Sequence, residues 1–167
     1  LFGIVRKKYN DPLIDHFPIP HNPFDYYDFP AETIRKKRNL TVDKIKRIQE
    51  FKPSCFWEDL SKDMFLLSFY MCGINSKDIY VYLTDPNVRG SFEYARSKVK
   101  SHRKDGGVTN VLIVDEAIEI IEKYAGYLQQ RYVSNLSFNQ ALWKGWRLIS
   151  DKLGFKCTMY YARHAFS

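Results

Sequence analysis

The chain has 167 residues, with 26 Lys and Arg against 19 Asp and Glu and a formal net charge of +7. Hydrophobic residues make up 45% and charged residues 27%, an ordinary globular mix that excludes wholesale disorder. The longest apolar run, around Met64–Cys72, is under half of the roughly 20 residues a membrane-spanning helix needs. Arg6, Lys7 and Lys8 cut off the apolar Leu1–Val5, so no signal peptide is expected either.

In chain order, Leu1, Val5 and Tyr9 recur at helical spacing, and Asp11-Pro12 stops that first helix. Phe17–Pro30 carries Pro18, Pro20, Pro23 and Pro30 with Phe24, Tyr26, Tyr27 and Phe29 interleaved, a pattern for an extended connector. The expected organisation is therefore the end of one domain over 1–16, a linker over 17–40, and a second domain over 41–167. A helix starts at Thr41 as N-cap, with Asp43 in its first turn and Val42, Ile45 and Ile48 on one face. The run from Trp57 to Cys72 is apolar all round, as a central buried helix is, and Gly73 is its expected C-cap. Ser76 is placed to cap a third, short helix presenting Ile79 and Leu83.

The period then changes. Gly90–Lys100 alternates as a strand does, Asp105-Gly106-Gly107 is a turn, and Val108–Val114 is a second strand rich in β-branched residues. Asp115 is expected to cap a helix over Glu116–Tyr124. A polar loop follows, then an amphipathic helix over Ser137–Leu153 containing Trp143, Trp146 and Ile149, ended by Gly154. The expected class is α+β: a mainly helical body with a small antiparallel sheet at one edge.

Net charge of this sign suggests a polyanionic partner, with nucleic acid ahead of an anionic membrane surface. No amphipathic helix with a basic stripe supports a membrane surface. On a strand, Arg96, Lys98 and Lys100 project from one face roughly 6.5–7 Å apart, and His102, Arg103 and Lys104 continue the charge into the turn. Such a ribbon suits a nucleic-acid groove, although lysines also guard solvated strand edges. In Tyr160-Tyr161-Ala162-Arg163-His164, an Arg among aromatics needs an anion, either an internal carboxylate or a phosphate. Cys55, Cys72 and Cys157 are odd in number, and neither they nor His16, His21, His102 and His164 show metal-type spacing. No metal or cofactor is expected.

The ordered set MFLLSFYMCGINSKDIYVYL, FEYARSKVK, VLIVDEAIEIIEKY and TMYYARHAF resembles the catalytic domain of tyrosine recombinases, the phage-integrase family. It is most similar to integrases of bacterial conjugative elements and prophages. The resemblance runs from about Pro23 to Ser167, with Leu1–Asp15 similar to the last helix of the family's core-binding domain. It implies a protein of the bacterial cytoplasm, at the nucleoid, that breaks and rejoins duplex DNA without metal or cofactor. In that mechanism a tyrosine attacks the scissile phosphate to give a 3′-phosphotyrosine. Two arginines hold the phosphoryl oxygens, and a lysine protonates the departing 5′ oxygen. Family members act as tetramers on DNA.

Residue by residue, the resemblance assigns Arg163 as the second active-site arginine and Lys98 as the catalytic lysine. Tyr160 takes the place of a histidine, His164 is structural, and Asp78 braces the site. Asn75, in Gly73-Ile74-Asn75, stands where the family has its first arginine, a loss on the order of 3 kcal/mol of transition-state stabilisation. Arg89 and Arg96 are the candidates to replace its charge. Arg35, Lys36, Lys37 and Arg38 in the linker, with Arg96, Lys100, Arg103 and Lys104 on the hairpin, are expected to bind DNA phosphates. None of the 12 tyrosines occupies the nucleophile's place, so the expectation is a piece of a recombinase that binds DNA without cutting it. The alternatives are a non-catalytic basic DNA-binding regulatory protein and an RNA-associated or membrane-associated basic protein.

Overall fold

The computed structural model describes residues 2–22, 40–82, 90–96 and 106–166. The chain divides into two compact units, Leu1–Lys36 and Lys37–Ser167. The first holds helix α1 (Phe2–Tyr9), which buries none of its residues. After it the backbone doubles back. Asp11 N–H donates to His16 O at 2.8 Å and His16 N–H to Asp11 O at 3.0 Å. The Asn10 amide pairs with the Ile19 backbone in both directions, at 2.8 and 3.0 Å. A side-chain amide thus replaces a backbone partner where the chain leaves regular structure.

In the second unit, α2 (Val42–Glu50) begins after Thr41 as expected, with Asp43 in the first turn and Ile48 fully buried. Thr41 has the extended backbone of an N-cap, but its hydroxyl makes no capping bond. The central element is α3 (Phe56–Tyr70), packed against α5 (Asp115–Tyr124), α7 (Asn135–Leu153) and α8 (Met159–Phe166). It buries Leu60, Met64, Phe65, Leu66 and Leu67, together with three polar residues. Each buried polar group is answered, as low-dielectric burial requires. Glu58 accepts from Ser54 N–H at 2.8 Å and pairs with Lys152 at 2.6 Å. Ser61 donates to Leu142 O at 3.0 Å, and Ser68 to Ile74 O at 2.7 Å. Where α7 crosses α3, Gly145 faces Trp57 O and the Ser61 hydroxyl with no room for a Cβ.

The end of α3 corrects the expectation for Gly73. The C-cap is Met71, and the first left-handed residue after it is Cys72, with φ +54°. Gly73 follows at φ +77° and donates its N–H to Ser68 O at 2.8 Å, closing a Schellman turn one residue earlier than the glycine suggests. Helix α4 (Ser76–Tyr82) is capped by Asn75 rather than Ser76: Asn75 Oδ1 accepts the Asp78 N–H at 2.9 Å. Ser76 instead spends its hydroxyl on Asn139 Oδ1 of α7, at 2.7 Å.

Strands β1 (Ser91–Ala95) and β2 (Val108–Leu112) form a two-stranded antiparallel sheet, with Ser91 opposite Leu112 and Ala95 opposite Val108. The second stops two residues before the expected Val114, and residues 97–100 of the expected first strand lie outside the described residues. Val114 leaves the strand because its carbonyl accepts from Ala117 at 2.9 Å and Ile118 at 3.2 Å, starting α5. Val114, not Asp115, is the N-cap; Asp115 sits in the first turn, where its charge still suits the helix N-terminus.

The expected polar loop after α5 contains a further helix, α6 (Tyr127–Arg131), which buries Leu128. Arg131 lies over the Phe56 ring at 4.3 Å and donates to the Tyr127 hydroxyl at 2.9 Å. Helix α7 starts at Asn135 rather than Ser137, because Ser134 and Ser137 cap each other's N–H groups at 3.3 and 3.2 Å. Gly154 ends it in the left-handed region, as expected. The chain is thus a mainly helical α+β protein, and none of its described helices is long and apolar enough to cross a membrane. Among the described residues, no three His, Cys, Asp or Glu side chains gather as a metal site would need.

Candidate functional site

The site grows from the turn that ends α3. Burial of Met71, Gly73 and Ile74 holds this turn down, and the Ser68 hydroxyl fixes the Ile74 carbonyl. Next in the chain, Asn75 is committed twice to the same partner. Its Oδ1 accepts the Asp78 N–H, and its Nδ2 donates to Asp78 Oδ2 at 2.6 Å. Asp78 is fully buried. At the position where the resemblance expects a phosphate-holding arginine, there is a helix cap that orients a buried carboxylate.

Arg163 reaches the same place from α8. Ala162, fully buried, fixes that helix on the core. A Cβ built on Gly73 would stand 3.0 Å from Arg163 Cγ and 3.2 Å from its Cα. Only glycine, with no side chain and free access to positive φ, lets the α3–α4 turn and the arginine's backbone meet this closely. On the outer side, Tyr160 packs edge-on to His164, with ring centroids 4.4 Å apart.

The hairpin joins this cluster through Tyr94, a buried strand residue. Burial pushes its phenol above the ordinary range. A hydrogen bond from the Arg96 guanidinium, with that cation's charge, pulls it back; the Asp78 carboxylate pushes it up and the Arg163 charge pulls it down. Tyr94, Arg96, Asp78 and Arg163 therefore share one electrostatic neighbourhood. Arg96 is held at the loop end of the ladder, its N–H donating to Gly107 O at 3.1 Å.

A cavity of about 320 Å³ opens beside Arg163, bounded by Asn75, Ser76, Trp143, Trp146 and Tyr160 among others. The α2 cations Lys44 and Arg47 lie elsewhere, over the Phe155 ring at 5.3 and 5.1 Å, and Arg47 also donates to Leu153 O at 2.7 Å. Part of the positive charge on α2 thus serves packing.

Of the residues singled out from sequence, Asn75, Asp78, Tyr160 and Arg163 come together at the α3–α4 turn and α8, with Arg96 entering from the hairpin. Lys98, Lys100, Arg103 and Lys104, like Arg35, Lys36, Lys37 and Arg38, lie outside the described residues. Sequence reading missed Tyr94, which alternation alone marks only as an inward strand residue. It also missed Trp143 as part of a cavity wall: at helical spacing it reads as core, yet it is 62% exposed. Searches of family models, curated proteins and solved structures find no match to this chain.

Proposed function

We propose that this chain is the DNA-binding, phosphate-holding part of a site-specific tyrosine recombinase of the integrase family, acting on duplex DNA. The observation that carries the reading is the contact between Gly73 and Arg163, which gathers Asn75, Asp78 and Arg163 with the hairpin's Arg96 and Tyr94. A guanidinium half-buried beside a braced carboxylate is pre-organised for two phosphoryl oxygens. Tyr160, exposed next to it, can donate its hydroxyl to the same phosphate. With the Asn75 amide spent on Asp78, the second positive charge comes from the hairpin, and Arg96 is the described residue best situated to supply it. Lys98, two residues further, is the proton donor to the 5′ oxygen in this scheme.

Duplex binding by fluorescence anisotropy across a salt series tests the reading. The expected result is affinity that falls steeply with salt, and a slope reduced by about one in Arg163→Ala. In a chain extended by a family nucleophile segment, a suicide DNA substrate should give a covalent adduct that Arg163→Ala and Lys98→Ala abolish. Salt-independent binding, or adduct formation by either variant at the parent rate, would overturn it.

The double commitment of Asn75 to Asp78 also favours a second reading, a DNA-binding regulator that never cleaves. It predicts the same salt dependence, but no adduct from the extended chain.

A further inference from the structure

The cavity beside Arg163 has walls that holding a backbone phosphate does not use. Its volume of about 320 Å³ suits a planar heterocycle with its sugar. Two of its rings keep much of their surface exposed, Trp143 at 62% and Tyr160 at 53%, so neither is spent on filling the core. Trp146, by contrast, is 2% exposed and lines the same cavity, and its buried indole N–H has no hydrogen-bond partner among the described residues. A buried indole N–H ordinarily finds one. Ser76 donates its hydroxyl proton to Asn139, which leaves its oxygen lone pairs as acceptors in the cavity wall. Thr158 adds a second hydroxyl and Arg163 a cation.

A smaller cavity of about 150 Å³ shares Trp143, Trp146 and Thr158, and adds Arg147 and Lys156 along with Asp151. The Arg147 guanidinium sits 5.7 Å from the Trp143 ring centre. Exposed aromatic rings, hydroxyl groups and lining cations describe a ligand that is flat, hydrogen-bonding and anionic.

We propose that this cavity binds a single unpaired nucleotide, with its base against Trp143 and its phosphate toward Arg163. A base inside a duplex has both faces covered by its neighbours, so only an unstacked nucleotide can enter a pocket of this kind. The proposal rests on the DNA reading above only for the source of that nucleotide.

The test is titration of the chain with 2′-deoxyadenosine 5′-monophosphate, with deoxyadenosine and with deoxyribose 5-phosphate, followed by the indole N–H resonances of its three tryptophans. The monophosphate should shift Trp143 and Trp146 and leave Trp57 in place. Deoxyadenosine should shift the same two signals with weaker affinity, and deoxyribose 5-phosphate should leave them unmoved. Trp143→Ala should lower monophosphate affinity by about tenfold or more with duplex affinity unchanged, and Thr158→Val should lower it less. The proposal is overturned if the monophosphate moves no indole signal, if Trp143→Ala binds it as the parent does, or if deoxyadenosine binds equally well. Nucleotide binding without duplex affinity would sink the recombinase reading alone, and duplex affinity without nucleotide binding would sink this proposal alone.

Discussion

Gly73 and Arg163, ninety positions apart in sequence, are pressed together so closely that a methyl group on the first would stand 3.0 Å from Cγ of the second. The first needs a positive φ, and the second carries the charge around which the site is built. Gly73→Ala therefore meets two penalties at once, a strained backbone and a clash with α8. The expected outcome is a stability loss of about 2 kcal/mol and a fall in duplex affinity larger than partial unfolding accounts for. Thermal unfolding and anisotropy on the same samples would separate the two effects.

Asn75 makes a contrasting case. Its amide is engaged at both ends with Asp78, so it acts as a cap and not as a phosphate donor. Asn75→Ala should cost about 1 kcal/mol of stability while duplex affinity, measured well below the unfolding temperature, stays at the parent value. A drop in affinity with stability preserved would instead make Asn75 a DNA contact.

Gly145 governs the packing of α7 on α3. A Cβ there would overlap the Trp57 carbonyl and the Ser61 hydroxyl. The Ser61–Leu142 hydrogen bond leaves that hydroxyl little freedom to move away. Gly145→Ala should destabilise by about 3 kcal/mol, read by denaturant unfolding. A loss within a few tenths of a kcal/mol would show that the two helices can slide apart cheaply.

Acid should weaken the fold through Glu58. Its burial pushes the carboxyl up, but Lys152 and the Ser54 hydrogen bonds more than offset this and hold it below the usual glutamate range. A carboxylate depressed in the folded state adds stability above its unfolded pKa, about 4.3. That contribution disappears as pH falls through the lower folded value. Glu58→Gln should cost about 2 kcal/mol at neutral pH, and its gap to the parent should close as pH drops below about 4. Stability curves recorded from neutral to acid pH for both proteins would check the sign.

Much of the framework follows from local patterns. The Thr41 start of α2, the all-round apolar run of α3, the paired alternating strands and the Gly154 stop depend on neighbours a few residues away, so chain order alone determines them. Boundaries slipped where two local signals competed. Asn75 and Ser76 are both good caps, and Ser76 was drawn off by Asn139 on another helix. Ser137 looks like a cap but serves as the far half of a box begun by Ser134. Helix α6 is too short to show a period, and it exists because Leu128 finds the core and Arg131 finds three aromatic rings.

The site divides in the same way. In the sequence itself an arginine among aromatics marks Arg163, whereas Asp78, Tyr160 and Asn75 are assigned roles only through the resemblance to tyrosine recombinases. Only the tertiary structure decided that Arg163 lies against Gly73, that Tyr94 lies within reach of the charges of Arg96, Asp78 and Arg163, and that Trp143 leaves the core to stand beside an open cavity. Those relationships join residues tens of positions apart. They arise from how three helices and a hairpin share one interior, which no local period or cap encodes.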